Sequence, residues 1–209
     1  MAKLVFIDFE TFGIPGTPQN IWQFAYGTMD TSTPEFWKKA AFFSGIIDWR
    51  GRDMSVIPKR SIDFTTQHTP EAFDWILGKT ECPHEIFSLE QFEERTIAWF
   101  QSQGCYPGGG FPGWTMVGRN PEFDYNCFSE HVRKAIGLTP FKCQDFALMY
   151  CALARESTAG RLPSMDKVKS ATKQPAGTHH DALMDVKDEM NLTLEALIGI
   201  HKHWAEKNK

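Results

Sequence analysis

Lys3-Leu4-Val5-Phe6-Ile7-Asp8-Phe9-Glu10-Thr11 begins as an apolar run and ends on two acids. That is the pattern of a central strand whose last residues emerge at the edge of a sheet. The two-residue repeat of a strand sends Asp8 and Glu10 to one face and Phe9 to the other. An Asp-x-Glu by itself arises by chance about once in a chain of this size. What gives this one weight is its place after an apolar run, because open sheets put their ligand sites beyond the carboxyl ends of strands.

Working outward, residues 21–28, with Phe24 and Tyr26, read as a second strand, and residues 36–47 supply a third. Thr69-Pro70-Glu71 joins a capping residue to a proline and predicts a short helix to about Leu77. Ser88-Leu89-Glu90-Gln91 has the capping-box pattern and opens a longer helix, with Phe92, Ile97 and Phe100 on one side and Gly104 as its stop. The glycine- and proline-rich residues 106–113 form a loop before another short strand at 114–117. Asn120-Pro121 starts a helix in which Phe123, Cys127, Phe128 and Val132 recur at helical spacing up to Gly137. A helix over 144–155 follows, then a polar segment over 157–178. Leu183, Val186, Met190, Leu194 and Leu197 mark a last helix. There is no internal repeat and no dividing linker, so residues 1–209 are expected to form one domain.

The 42% apolar and 23% charged residues exclude disordered and collagen-like classes. No stretch has the roughly 18 apolar residues of a membrane span and no signal-peptide pattern opens the chain, so a cytoplasmic location is expected. Cys82, Cys105, Cys127, Cys143 and Cys151 are scattered, without a Cys-x-x-Cys pair, and are expected to be free thiols. A net charge of −4 argues against a protein that coats nucleic acid. It is compatible with a local site that holds divalent cations in carboxylates.

Two further groups of acids join the pair on the first strand. Asp124 lies in the first turn of the helix begun by Asn120-Pro121, where negative charge is favoured; a helix-start aspartate is also common without any site. In His180-Asp181-Ala182-Leu183-Met184-Asp185 the histidine stands at the entry of the last helix and Asp185 about a turn further in. An imidazole there suits proton removal near neutral pH, while His179 reads as a surface or loop residue. Four carboxylates gathered without partners would repel. Hard oxygen ligands of this kind favour two Mg2+ or Mn2+ ions over zinc. Lys167, Lys169 and Lys173 read as parts of a solvated loop, and Trp75 and Trp99 as core residues.

These residues resemble the DEDD exonucleases of the histidine type. Phe6-Ile7-Asp8-Phe9-Glu10-Thr11 matches the first motif, Asn120-Pro121-Glu122-Phe123-Asp124 the second, and the segment from His180 to Asp185 the third, all in the family's order. Within the family, the Asp-Phe-Glu-Thr start and the long insertion before the second motif look most like the exonuclease A type of T-even bacteriophages. The resemblance implies a ribonuclease-H-like α/β fold, a mixed five-stranded sheet flanked by helices. It implies a 3′-to-5′ exonuclease that releases nucleoside 5′-monophosphates from single-stranded DNA or RNA. Asp8, Glu10, Asp124 and Asp185 would hold two Mg2+ or Mn2+ ions, and His180 would act as general base. The backbone near Phe9, with Thr11, Phe12 and Ile14, would line the pocket of the last nucleotide; ordinary loop packing is the other reading of Phe12 and Ile14. Rival readings are a catalytically silent nucleic-acid-binding domain on the same fold and an endonuclease of the ribonuclease H type.

Overall fold

The computed structural model describes residues 3–13, 16–31, 39–107, 113–146, 149, 164–171 and 180–207. The opening stretch is indeed the central strand, β1 (Lys3–Thr11). It pairs antiparallel with β2 (Ile21–Asp30), which pairs antiparallel with β3 (Ala41–Ile47). On its other side β1 runs parallel to β5 (Trp114–Gly118). Two short strands complete the margins: β4 (Ile86–Phe87), parallel to β3, and β6 (Cys143–Asp145), parallel to β5. The described residues thus form a mixed sheet in the order β4-β3-β2-β1-β5-β6, six strands where five were expected. Two and three residues are too short for alternation to be read, and β6 lies where a helix over 144–155 was expected; most of that helix falls outside the described residues.

Helices cover both faces of the sheet. On one face Val5, Ile7 and Phe9 of β1 join Phe24 and Tyr26 of β2 under α3 (Leu89–Ser102) and α5 (Glu130–Ile136). Ser88 and Gln91 form the expected capping box at the start of α3, each side chain accepting the other's backbone N–H at 3.1 and 2.9 Å. The single helix expected from Pro121 to Gly137 is broken into α4 (Pro121–Cys127) and α5. Phe128 is extended between them, and Ser129 accepts the N–H of Val132 to restart the helix. On the insertion before α3, the short helix expected up to about Leu77 is α2 (Ala72–Ile76), and a second helix, α1 (Lys59–His68), precedes it unannounced. Thr69, read as a helix start, instead ends α1, its N–H donating to the Thr65 carbonyl.

The opposite face is covered by the last helix, α7 (Ala182–Lys207), with Val186 and Met190 against Phe6, Ala25, Met29 and Val117. A further helix, α6 (Met165–Ala171), lies inside what read as a polar loop. Its Lys169 is buried, with Nζ 2.6 Å from the Asp188 carboxylate, so it is an ion pair tying α6 to α7 and not a solvated side chain. Lys173 and His179 lie outside the described residues. Trp75 and Trp99 pack against the core as expected. Cys82, Cys105, Cys127 and Cys143 are free thiols, while Cys151 lies outside the described residues. No helix of the described residues is long and apolar enough to cross a membrane.

On the α7 side, register places Gly27 opposite Phe6, Ala25 opposite Asp8 and Gln23 opposite Glu10. The small residues let α7 come close. A Cβ at Gly27 would stand 2.5 Å from the Met190 sulfur and 2.9 Å from Val186 Cγ1. Gly27→Ala is therefore expected to push α7 outward and to cost about 1–3 kcal/mol, or roughly 2–12 °C in thermal midpoint for a domain of this size. An unchanged midpoint would mean that the helix has slack at this contact.

Candidate active site

On the face of β1 toward α7, Leu4 and Phe6 give way to Asp8 and Glu10, so the apolar contact with α7 ends in acids. Asp185 lies in the first turn of α7. Asp8, Glu10 and Asp185 each present a carboxylate oxygen within 4.8 Å of the others. Asp124 comes from α4, is buried, and accepts the backbone N–H of Phe9, the residue between the two acids of β1. That bond fastens α4 to the end of β1 and brings a fourth acid beside Asp8.

Burial is the largest influence on these acids. It pushes Asp8 well above the ordinary carboxylate range, and the charges of Glu10, Asp124, Asp185 and Glu189 push the same way. Glu10 is pushed up to about 8 by burial and then by Asp185 and Asp181. Asp124 is raised by burial and Glu189, against the opposing pull of the Phe9 N–H. Asp8 Oδ2 is buried with no hydrogen-bond partner. A polar atom in that state costs about 1–3 kcal/mol, more when charged. A divalent cation is a natural partner for it, and an all-oxygen donor set suits a hard ion. On these grounds the residues present fit a metal centre.

His180 has left-handed backbone, φ 43°, immediately before α7. Its carbonyl accepts the Thr69 hydroxyl at 3.2 Å, and its ring packs against both Phe64 and His68 of α1, with centroids 4.9 and 4.4 Å away. Nδ1 is 3.9 Å from Glu10 Oε1. Burial and then His68 lower its pKa, which leaves the imidazole neutral around pH 7. The neighbouring Asp181 has structural work. It accepts the Met184 N–H at 3.0 Å, capping α7, and takes a bond from Gln23, whose own carbonyl accepts the Ala182 N–H.

A cavity of about 600 Å³ opens beside this cluster, with Asp124 and Asp181 outside its lining. Thr11 and Phe9 line it, as do Asp8, Glu10, His180 and Asp185. The Phe9 ring itself packs into the opposite core against Tyr26, Phe92 and Phe128, which leaves its backbone toward the cavity. Thr11 donates its hydroxyl to the Gly13 carbonyl at 2.9 Å. Phe12, expected in the pocket, is 1% exposed. It stacks on Phe73 and Trp22 and meets the edge of Trp49, because a bare aromatic ring gains more in that cluster than at an open rim. Ile14 lies outside the described residues.

Several residues of the site were not anticipated. Arg60, Ser61 and Phe64 of α1 form the cavity wall, and nothing in the polar sequence of that helix announces them. Glu189 stands one turn after Asp185 and influences Asp8 and Asp124; its spacing of four from Asp185 was the available signal.

No protein-family model and no curated protein sequence matches this chain. Solved structures do. E. coli Exonuclease I in complex with a dT13 oligonucleotide superposes with TM-score 0.60 at 16% identity, over 95% of this chain and 41% of that one. The zinc-bound form of an E. coli Exonuclease I complex with single-stranded DNA gives 0.54 at 15% identity, over 96% and 41%. A moderately thermophilic Exonuclease I from Methylocaldum szegediense gives 0.50 at 18%, over 95% and 40%. The chain therefore spans about two fifths of the length of these proteins and shares their α/β, ribonuclease-H-like fold.

Proposed function

We propose that this chain is a metal-dependent 3′-to-5′ exonuclease, a single domain over residues 1–209 acting in the cytoplasm. It hydrolyses single-stranded DNA or RNA from the 3′ end and releases nucleoside 5′-monophosphates. The observation that carries the reading is the convergence of the Asp8, Glu10 and Asp185 carboxylates, one oxygen of Asp8 being buried without a hydrogen-bond partner, with Asp124 and a neutral His180 alongside. The oligonucleotides held by the structural neighbours are consistent with it. The narrower likeness to the exonuclease A type of T-even bacteriophages rests on the sequence motifs alone.

Asp8, Glu10 and Asp185 would hold one Mg2+ or Mn2+ ion, and Asp8 with Asp124 a second. When bound, such ions supply the positive charge that acidifies water and offsets charge on the scissile phosphate and the departing 3′ oxygen. His180 takes the proton from the attacking water, a task suited to a neutral imidazole kept in place by Phe64, His68 and the Thr69 hydroxyl. Thr11 and the backbone at Phe9 line the place of the terminal nucleotide. Phe64, 47% exposed, offers its base an aromatic face, and Arg60 one turn before it offers a cation to the backbone.

The test is degradation of matched 3′-labelled and 5′-labelled DNA and RNA oligonucleotides with Mg2+ or Mn2+, and of circular DNA. Stepwise shortening from the 3′ end is expected, with circles left whole. Intact free-ended substrates would leave the silent binding domain, and cut circles the endonuclease. Phe64→Ala is expected to raise KM about ten-fold, since base–aromatic stacking contributes roughly 1–3 kcal/mol, and to lower kcat as well because His180 loses a ring that holds it. An unchanged KM would remove the base-stacking role and leave Phe64 only the holding of His180.

A further inference from the structure

Glu189 has no part in the chemistry above, yet it links the two elements that carry Asp185 and Asp124. It stands on α7 four residues after Asp185, on the same side of the helix. Its Oε1 accepts the backbone N–H of Arg119 at 3.0 Å. Arg119 follows the last residue of β5, Gly118, where an added Cβ would stand 3.1 Å from Glu189 Oε2. The strand thus ends on the residue type that leaves room for this carboxylate.

The turn that follows is unusual. Asn120 has left-handed backbone, φ 60° and ψ 50°, and makes no side-chain cap to α4. Its N–H donates instead to Asp145 Oδ2 of β6, at 3.3 Å. Two successive N–H groups are therefore held by carboxylates from outside the turn, one from α7 and one from β6. Pro121 begins α4 directly afterwards, and Asp124 sits in that helix's first turn. The direction in which α4 leaves the turn decides how far Asp124 stands from Asp8.

We propose that Glu189 is a positioning residue of the metal centre. By receiving the Arg119 N–H it locks α7 to the turn that launches α4, and so fixes Asp124 relative to Asp8 and Asp185. The role depends on the metal-centre reading above. Residues behind a metal's direct ligands typically change affinity about 10–100-fold when lost.

The experiment is Mn2+ titration by calorimetry of the whole chain, wild type against Glu189→Ala, Glu189→Gln and Gly118→Ala, with thermal midpoints measured free of ions. Glu189→Ala is expected to weaken the lower-affinity Mn2+ step about ten-fold or more and to leave the tighter step unchanged. Glu189→Gln keeps an acceptor oxygen for Arg119 and is expected to restore that step. Gly118→Ala crowds the carboxylate without removing it and is expected to weaken the same step, which keeps the test open should the Glu189→Ala chain fail to fold. Equal losses in Ala and Gln would overturn the proposal in favour of direct service by the charge. Unchanged Mn2+ steps, with only a lower midpoint, would overturn it in favour of a purely structural bond. A wild-type chain that takes up no Mn2+ would overturn the metal-centre reading itself.

Discussion

An Asp8→Asn chain is expected to lose hydrolysis by about a thousand-fold or more and, free of ions, to be more stable than the wild type. The first half follows from the position of Asp8, the acid that both proposed ion sites share. Removing one preorganised stabiliser of developing charge already costs about 100–1,000-fold, and here the charge that gathers the cations goes with it. The second half follows from burial and crowding. Asp8 is raised by burial first and by four neighbouring acids after that. Asparagine fills the same volume and can donate to Glu10 or Asp185 instead of repelling them. The gain is expected near neutral pH and reads as a raised thermal midpoint, each kcal/mol being worth roughly 2–4 °C. Mn2+ should reverse the ranking by stabilising the wild type alone. Comparison of midpoints and initial rates for the two chains, with and without Mn2+, checks both halves. A destabilised, ion-binding variant would show that Asp8 serves the fold and not the cations.

Stability of the ion-free protein is expected to fall as pH rises from about 4 to about 8. Burial, then neighbouring acids, push Glu10 and Glu189 up to about 8, and Asp8 and Asp124 are raised as well. Unfolded carboxyls titrate at about 4. Between these limits the folded chain holds protons that the unfolded chain has released. Stability present below the lower limit is therefore lost as pH climbs through the upper one. Each group that holds a proton only in the folded chain costs about 1.4 kcal/mol of stability per pH unit climbed, and Glu10 and Glu189 do so up to about pH 8. His180 acts in the opposite sense, because its lowered pKa makes the folded chain resist protonation below about pH 6.5, and so do Asp48, Asp53 and Glu130, lowered by bonds to Arg50, Ser55 and Lys134. Those three acids lie near the surface, where solvent screens them, and the buried cluster outweighs the group. Urea midpoints at several pH values, with and without Mg2+, read the slope directly. Saturating Mg2+ should flatten it, and a rise in stability with pH in ion-free buffer would mean that the acids stand apart in solution.

The parts of this molecule legible in sequence are those set by local patterns. Apolar residues running into Asp8 and Glu10 identify β1 and its carboxylate face, and Ser88 with Gln91 identifies the start of α3. Contacts made across the chain left no such mark. Phe12 follows the first motif and reads equally as a pocket residue or a packing residue, and contacts with Trp22, Trp49 and Phe73 draw it into the core. Lys169 reads as solvated until Asp188 meets it from another helix. Helix α1 has too few apolar residues to show a periodicity, and its value to the site lies in what Phe64 and His68 do for a histidine more than a hundred positions later.

The order in which the layers appear has a cost during synthesis. Phe6, Ala25, Met29 and Val117 are all made in the first part of the chain, and the helix that shields them begins only at Ala182. A growing polypeptide therefore presents a bare, sticky sheet surface until Ala182 and the helix it begins leave the ribosome. Folding through such a distant closing contact is slow, and nascent chains of this protein are expected to depend on chaperones that shelter apolar surface.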